Sequence, residues 1–458
     1  MINRDSTMLK FIHFWTVKLL LAVTLAIFVT AARGQVLQSL YSFAATNSYY
    51  PYAGLVEASD GNLYGTTHQG GSSDLGTVFQ ISPEGVLTTL RSFTGANGAY
   101  PSAGLLQASD GNFYGVTESG GPHNIGTVFK LTPALVLTTL VSFNGTNGSS
   151  PRASLVEGDD GSLYSTTYLG GQNGSGTVFK LTPGGTLTTL VNFATSWGGN
   201  PWGGLVLGSD GNLYGTTTLW GSGSAGIVFK MTPTGSLTTY SFTGTGSPSS
   251  PRGELVEGSG HNFYGTTYSG GASNCGTVFK LSSTGTLTTL VSFENTNGSY
   301  PRAGLTLGGD GNFYGTTYSG GAEGFGTIYR VTPVGQLTTL ISFSNSDGRY
   351  PLGKVLQASD GNLYGTTFYG GANGFGTVFR MVPTSQPTTP ALLTLNSYPG
   401  LTLQGTVAGQ YRIEYSDELT ATNWTLLTTI MLPSNPYFYV DTNAPGVRYR
   451  FYRAVGRQ

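Results

Sequence analysis

Cysteine, charge and histidine are all scarce in this chain of 458 residues, and each scarcity excludes something. Cys275 is the one cysteine, so an internal disulfide framework and a multi-thiolate metal cluster are ruled out, and stability has to come from packing. Its counterparts fifty residues apart are Leu75, Ile125, Ser175, Ala225, Phe325 and Phe375, a tolerance that marks a gap-filler rather than a nucleophile. Charged residues make up 9% of the chain and the formal net charge is −1, so no basic surface points to a nucleic-acid partner. Intracellular domains usually carry about 25% charged residues, and a composition this poor in charge leans towards the extracellular side. After the first residues no apolar run approaches the roughly 20 residues that span a bilayer. His68, His123 and His261 are the histidines beyond that opening segment, and no Ser/His/Asp set shows a recognisable spacing. No cofactor is expected.

What is abundant is glycine, 71 residues, and aromatic rings, 12% of the chain. Rings at that level argue against disorder, because they support a packed core. Arg4, Lys10 and Lys18 precede the apolar run 19–32, the layout of a secretory signal peptide. Ala32-Arg33-Gly34 supplies small residues for cleavage, so 1–34 is expected to be removed before Gln35. A permanent anchor is the alternative, disfavoured by the shortness of the run.

The rest of the chain repeats every fifty residues. A proline recurs at Pro51, Pro101, Pro151, Pro201, Pro251, Pro301 and Pro351, each followed by the same four phrases. A period of this length with four short strand-like phrases predicts a β-propeller blade. In the first copy strand A is expected at 53–58, B at 63–67, C at 77–82 and D at 86–93. Between A and B lies Ser59-Asp60-Gly61-Asn62, and Asp-Gly favours a type I′ hairpin turn. The fifth copy has Gly260-His261 instead of Asp-Gly. A different solution to the same turn says that the aspartates serve geometry rather than catalysis or calcium binding. Two ring columns, Tyr64 with its counterparts and Phe79 with its counterparts, are expected to pack between blades.

The strand count predicts how the ring closes. The first D-type phrase, VLQSLYSF (36–43), precedes any strand A, and the seventh unit runs into Thr384-Ser385-Gln386-Pro387, where proline disfavours a strand. The N-terminal segment should therefore complete the seventh blade and remove the open seam. In the fourth copy LTTYSF (237–242) is one residue short. A deletion flips side-chain faces, and an outermost strand is where a propeller can absorb one. The expected organisation is a signal peptide 1–34, an all-β seven-bladed propeller 35–383, a linker 384–391 and a small β-sandwich 392–458, fibronectin- or immunoglobulin-like without a cysteine pair.

The phrases DGNLYGTT, GTVFKLTP and GTLTTLVSF, with the intervening GG loop, resemble the tandem-repeat family called GloVer, found in exported bacterial proteins. The resemblance spans about seven copies and implies export, commonly with a C-terminal surface-sorting tail. It carries no catalytic residue over. This chain departs from it by ending RYRFYRAVGRQ (448–458), without a hydrophobic tail and basic stop.

Loops A–B and C–D should emerge on one rim of the ring, and loops D–A and B–C on the other. The A–B loops are nearly uniform, whereas the opposite rim varies from copy to copy, as binding surfaces on rigid scaffolds do. Aromatic rings and arginines concentrate there. Tyr168, Trp202, Trp220, Tyr268 and Tyr318, with Arg252 and Arg302, are the candidate ligand-binding residues. Flat apolar faces with a polar edge suit sugars and proteins alike, so the expected partner is a polysaccharide or an envelope protein. The plainer reading is that these rings cap the blades and pack on each other.

An enzymatic alternative also exists. The DGNLY phrases resemble those of propeller lyases and lactonases, whose chemistry needs a metal or a His/Glu set near the pore. His68, Glu118 and His123 lie on adjacent B–C loops, and Glu57, Glu157 and Glu257 stand near the end of strand A. The runner-up function is therefore a propeller hydrolase or lyase with a metal-assisted site.

Overall fold

The computed structural model describes residues 35–383, apart from 46–47 and 245, together with the backbone of six strands between Leu392 and Gly456. The segment expected to be a signal peptide, 1–34, and the expected linker, 384–391, lie outside the described residues. Residues 35–383 form seven antiparallel sheets with strands A, B, C and D side by side, and in blades 1 and 5 a short extra strand, Ser48–Pro51 or Ser249–Pro251, also pairs with strand B. In blade 3 these strands are Val156–Glu157, Leu163–Thr167, Thr177–Leu181 and Leu187–Asn192.

The ring closes as the strand count requires. Val36–Ser42 pairs antiparallel with Thr377–Val382 and supplies strand D of blade 7. Phe43, fully buried at the end of that strand, packs edge-on against Phe79 of blade 1 at 5.5 Å. The same contact joins every neighbouring pair of blades, for example Phe93 to Phe129, Phe143 to Phe179 and Phe343 to Phe379. Each core cluster accordingly draws on two blades: Tyr114, Val128 and Phe143 of blade 2 meet Leu163, Phe179 and Leu181 of blade 3. Because both faces of a blade are covered in this way, strands B and C are buried along most of their length rather than alternating.

Strand A is shorter than expected, Val56–Glu57 in place of 53–58. The blades converge here, and a side chain on Gly54 would come within 2.6 Å of the Lys354 carbonyl. The chain at this radius runs as a close-packed hub rather than a ladder.

Strand D behaves in an unexpected way. Six of the seven D strands carry a one-residue bulge. In blade 3, for instance, Val178 opposes Val191 while Phe179 opposes Thr189, leaving Leu190 between them. In blade 4 the pairing runs without a shift, Val228 to Tyr240 and Phe229 to Thr239. The residue missing from the fourth copy is the bulge itself, so no face is flipped. The shortened strand is the regular ladder, and the longer ones carry the insertion.

The A–B turn also differs from expectation. Gly61 has φ 78°, but Asp60 is not left-handed. The Gly61 N–H donates to the Ala58 carbonyl and the Ala58 N–H to that of Asn62. This is a type I turn closed by a left-handed glycine rather than a type I′ turn. The aspartate stabilises it through its side chain, accepting the Asn62 N–H at 3.0 Å and the Tyr64 hydroxyl at 2.8 Å. Blade 5 lacks the aspartate and makes a 3-10 turn over Ser259–His261, with His261 itself at φ 55°.

Glu57, Glu157 and Glu257 do not line the channel. Each carboxylate reaches the A–B turn of the preceding blade: Glu57 accepts the Ser359 N–H at 2.7 Å and Glu257 the Ser209 N–H at 2.8 Å. Gln107 and Gln357 make the equivalent link to Ser59 and Gly309. The acids are staples between blades.

In the C-terminal part, Leu392–Leu395, Gly400–Gln404 and Tyr437–Val440 form one three-stranded antiparallel sheet, and Gln410–Ser416, Thr425–Met431 and Phe451–Gly456 form another. Among the described residues no helix is long and apolar enough to cross a membrane.

Candidate functional site at the channel mouth

A central channel of about 520 Å³ runs between the seven blades. Its end at the D–A/B–C rim is lined by the residue that follows each repeat proline: Tyr52, Ser102, Arg152, Trp202, Arg252, Arg302 and Leu352. The residue before each proline is left-handed in all seven copies, although none is glycine, from Tyr50 at φ 60° to Tyr350 at φ 58°. Such a conformation is uncommon and costs roughly 1 kcal/mol or more. Its N–H is fixed by a carbonyl of the adjoining blade, as in Tyr100 to Leu75 at 2.8 Å and Tyr300 to Cys275 at 2.7 Å. The following proline then delivers the next side chain to the channel from a rigid base.

The candidate rings and arginines interleave around this mouth. The Arg152 guanidinium lies 4.4 Å from the ring centroids of both Tyr168 and Trp202. Arg252 sits between Trp202 at 5.0 Å and Tyr268 at 3.9 Å. Arg302 sits between Tyr268 at 5.3 Å and Tyr318 at 4.2 Å. Tyr168 meets Trp202 edge-on, while Tyr268 stacks on Tyr300 at 5.1 Å and Tyr318 on Tyr350 at 4.8 Å. Six of the seven predicted residues thus fall into one array. Trp220 does not: it stands on the outer rim, 38% exposed, beside the exposed Leu219.

Tyr168, Tyr268 and Tyr318 flank the arginines rather than line the channel, and all three are half-buried. Burial pushes the Tyr318 phenol up, with Arg302 acting in the opposite sense. Burial also pulls Arg252 below its ordinary value, and the neighbouring Arg302 adds to the effect.

Further partners at the mouth were not expected in these roles. Glu118 pairs with Arg152. Tyr52 lines the channel with the arginines, and burial raises its phenol. Deeper in the channel Lys354 and Glu254 approach to 3.6 Å. These two occupy a column that is otherwise glycine or serine (Gly54, Gly104, Ser154, Gly204, Gly304), and that break in the column was the available clue.

The metal-site set does not assemble. His68 is half-buried against Tyr52 and Tyr100, and burial holds it below the usual histidine range. Glu118 is engaged by Arg152, and His123 stands on an exposed loop tip. Among the described residues no three His, Cys, Asp or Glu groups are placed to share a metal ion. A second hollow of about 380 Å³ lies beside Gly244, Ser247 and Gly270, and none of the described residues that line it is charged.

Solved structures with the same fold include a streptogramin B lyase, 18% identical with a TM-score of 0.56, covering 77% of this chain and 99% of that one. The virginiamycin B lyase of Staphylococcus aureus is 16% identical with a TM-score of 0.53, covering 76% and 99%. The extracellular domain of a protein assigned to a hybrid two component system from B. thetaiotaomicron is 11% identical with a TM-score of 0.50, covering 93% of this chain and 56% of that one. At such identities the likeness is one of fold alone. No curated protein matches the chain. The repeat described as the Gloeobacter/Verrucomicrobia repeat matches in overlapping tandem at residues 26–159, 88–260, 154–333 and 204–415. The chain belongs to the Gloeobacter/Verrucomicrobia repeat family.

Proposed function

We propose that this protein is an exported, non-catalytic recognition module that binds a polysaccharide or envelope glycan at the channel mouth of its propeller. The observation that carries the reading is the unbroken array of rings and guanidiniums from Tyr168 to Tyr318. It is built at positions whose identity changes from blade to blade, on a scaffold that otherwise repeats. Half-buried tyrosine and tryptophan offer a sugar ring an apolar face at little entropic cost, because the contacts that hold them are already made. The scarcity of charge and the N-terminal segment 1–34 support export. In this reading residues 392–458 are an accessory sandwich after the linker 384–391.

The test is a binding screen of the full chain against a polysaccharide panel, beside a Tyr268→Ala/Tyr318→Ala variant. Binding that weakens at least tenfold in the variant supports the reading. Binding indifferent to the variant demotes the rings to packing. A metal-assisted hydrolase or lyase is the competing class, and the capture of Glu118 by Arg152 speaks against its ligand set. Turnover of a panel substrate that is lost in both His68→Ala and Glu118→Ala would reverse that judgement.

A further inference from the structure

Three arginines converge on one end of the channel in a protein with few charges, and two of them, Arg252 and Arg302, are held by the faces of aromatic rings rather than by acids. Among the described residues Glu118 is the one carboxylate that pairs with any of them, and it takes Arg152. Among the described residues Arg252 and Arg302 make no ion pair, and the Nε atoms of both are buried without a partner. An aromatic face holds a guanidinium in place but leaves its charge and its in-plane N–H donors uncommitted. The Lys354–Glu254 pair deeper in the channel offsets its own charge and does nothing for the mouth. Arg152, Arg252 and Arg302 line the same channel as Tyr52, so three like charges share one opening. Like charges gathered in a concave, ring-walled mouth repel one another, and they focus a positive potential on whatever enters.

We infer that the mouth is built for an acidic polysaccharide, with Arg252 and Arg302 receiving a carboxylate or sulfate group and Tyr268 and Tyr318 contacting the sugar that bears it. The guanidinium fork matches planar carboxylate and tetrahedral sulfate alike, through paired N–H donors. An anion on a neighbouring sugar ring lies within reach of the same two arginines, because Tyr268 touches both of them. This inference rests on the glycan reading above and narrows it to charged polymers.

The experiment compares polygalacturonate, dextran sulfate, neutral dextran and poly-L-glutamate as probes of the full chain. It uses wild type, Arg252→Gln/Arg302→Gln and Tyr268→Ala/Tyr318→Ala, with thermal unfolding as the folding control. The expected result is that at least one acidic polysaccharide binds tenfold or more tighter than neutral dextran. That preference should fall at least tenfold in the arginine variant, and its salt dependence should flatten. The tyrosine variant should lose acidic-polysaccharide binding while remaining folded. A preference for polygalacturonate identifies the group as a carboxylate, and one for dextran sulfate as a sulfate. Neutral dextran binding as tightly as the acids, unaffected by the arginine variant, overturns the inference and leaves the glycan reading standing. Poly-L-glutamate binding as well as the acidic polysaccharides, with no effect of the tyrosine variant, overturns both, because the mouth would then read charge without sugar. No binding of any polysaccharide overturns both as well.

Discussion

The two rims of the ring are made by the same fold and satisfy their polar groups in opposite ways. On the A–B rim each aspartate is answered within its own blade: Asp210 accepts the Asn212 N–H at 3.1 Å, the Tyr214 hydroxyl at 2.9 Å and Lys230 at 2.7 Å. Burial would push that carboxyl up, yet these partners hold it well below its usual range. At the channel mouth Arg252 and Arg302 have rings for neighbours and, among the described residues, no ion-paired acid. One rim closes on itself and the other is left with donors to spare. A column that repeats with its partners is therefore architecture, and a column that changes and lacks them is the place to look for a ligand.

That contrast exists only while the ring is closed, so the largest effect should come from the seam. Phe43→Ala removes a fully buried ring at the junction of blades 7 and 1. A loss of about 3–5 kcal/mol is expected for such a truncation, read as a lowered midpoint of denaturant unfolding. Unchanged stability would mean that the N-terminal strand is dispensable and that the blades hold without closure.

Next in size is Asp210→Ala, which takes the acceptor from a turn, a tyrosine and a lysine together. About 1–2 kcal/mol should be lost, with ligand binding at the mouth unchanged. The same rim sets the acid limit of the fold. Asp60, Asp110, Asp160, Asp210 and Asp360 are all held below the ordinary value of 3.8. A depressed folded value means that the unfolded chain binds more protons. Their stabilisation should be complete above about pH 3.8 and drain away as pH falls below it. An unfolding midpoint flat between pH 5 and pH 2 would contradict this account.

Tyr329 offers a third, smaller check inside the ring itself. It stands where the other six blades have phenylalanine, and its hydroxyl is buried without a partner. Burial drives that phenol far above its ordinary value. Tyr329→Phe should stabilise the protein by roughly 1 kcal/mol, because a stranded polar group disappears while the ring remains. A loss of stability would reveal an unrecognised partner for the hydroxyl.

How much of this was legible in the sequence differs between the rims for a physical reason. The fifty-residue period and the ring columns are repeated seven times, so chance is averaged away, and the single D-type phrase ahead of the first strand A then marks how the ring closes. The bulge in strand D escaped notice because a sequence shows a shortened copy, not which length is regular. The inter-blade role of Glu57, Glu157 and Glu257 was missed because a link to the preceding blade spans 48 residues or, at the seam, 302. At the mouth, Tyr168, Trp202, Tyr268, Tyr318, Arg252 and Arg302 were recognisable by type and loop, whereas their interleaving depends on the ring geometry. Trp220 shared their composition but not their radius.

The sharpest test of the comparison is also the smallest in energy. Arg252→Gln changes a charged residue, as Asp210→Ala does, yet its effect on stability should be within about 0.5 kcal/mol. Two cation–π contacts are lost, each worth about 0.5–1 kcal/mol at a partly exposed site. Against that, a buried Nε without a partner and the repulsion from Arg302 are both removed. Added sodium chloride should raise the unfolding temperature of the wild type relative to this variant, since screening relieves a repulsion only the wild type has. If Arg252→Gln instead proved as destabilising as Asp210→Ala, with no difference in salt response, the arginine would be as structural as the aspartate. The two rims would then differ in composition alone.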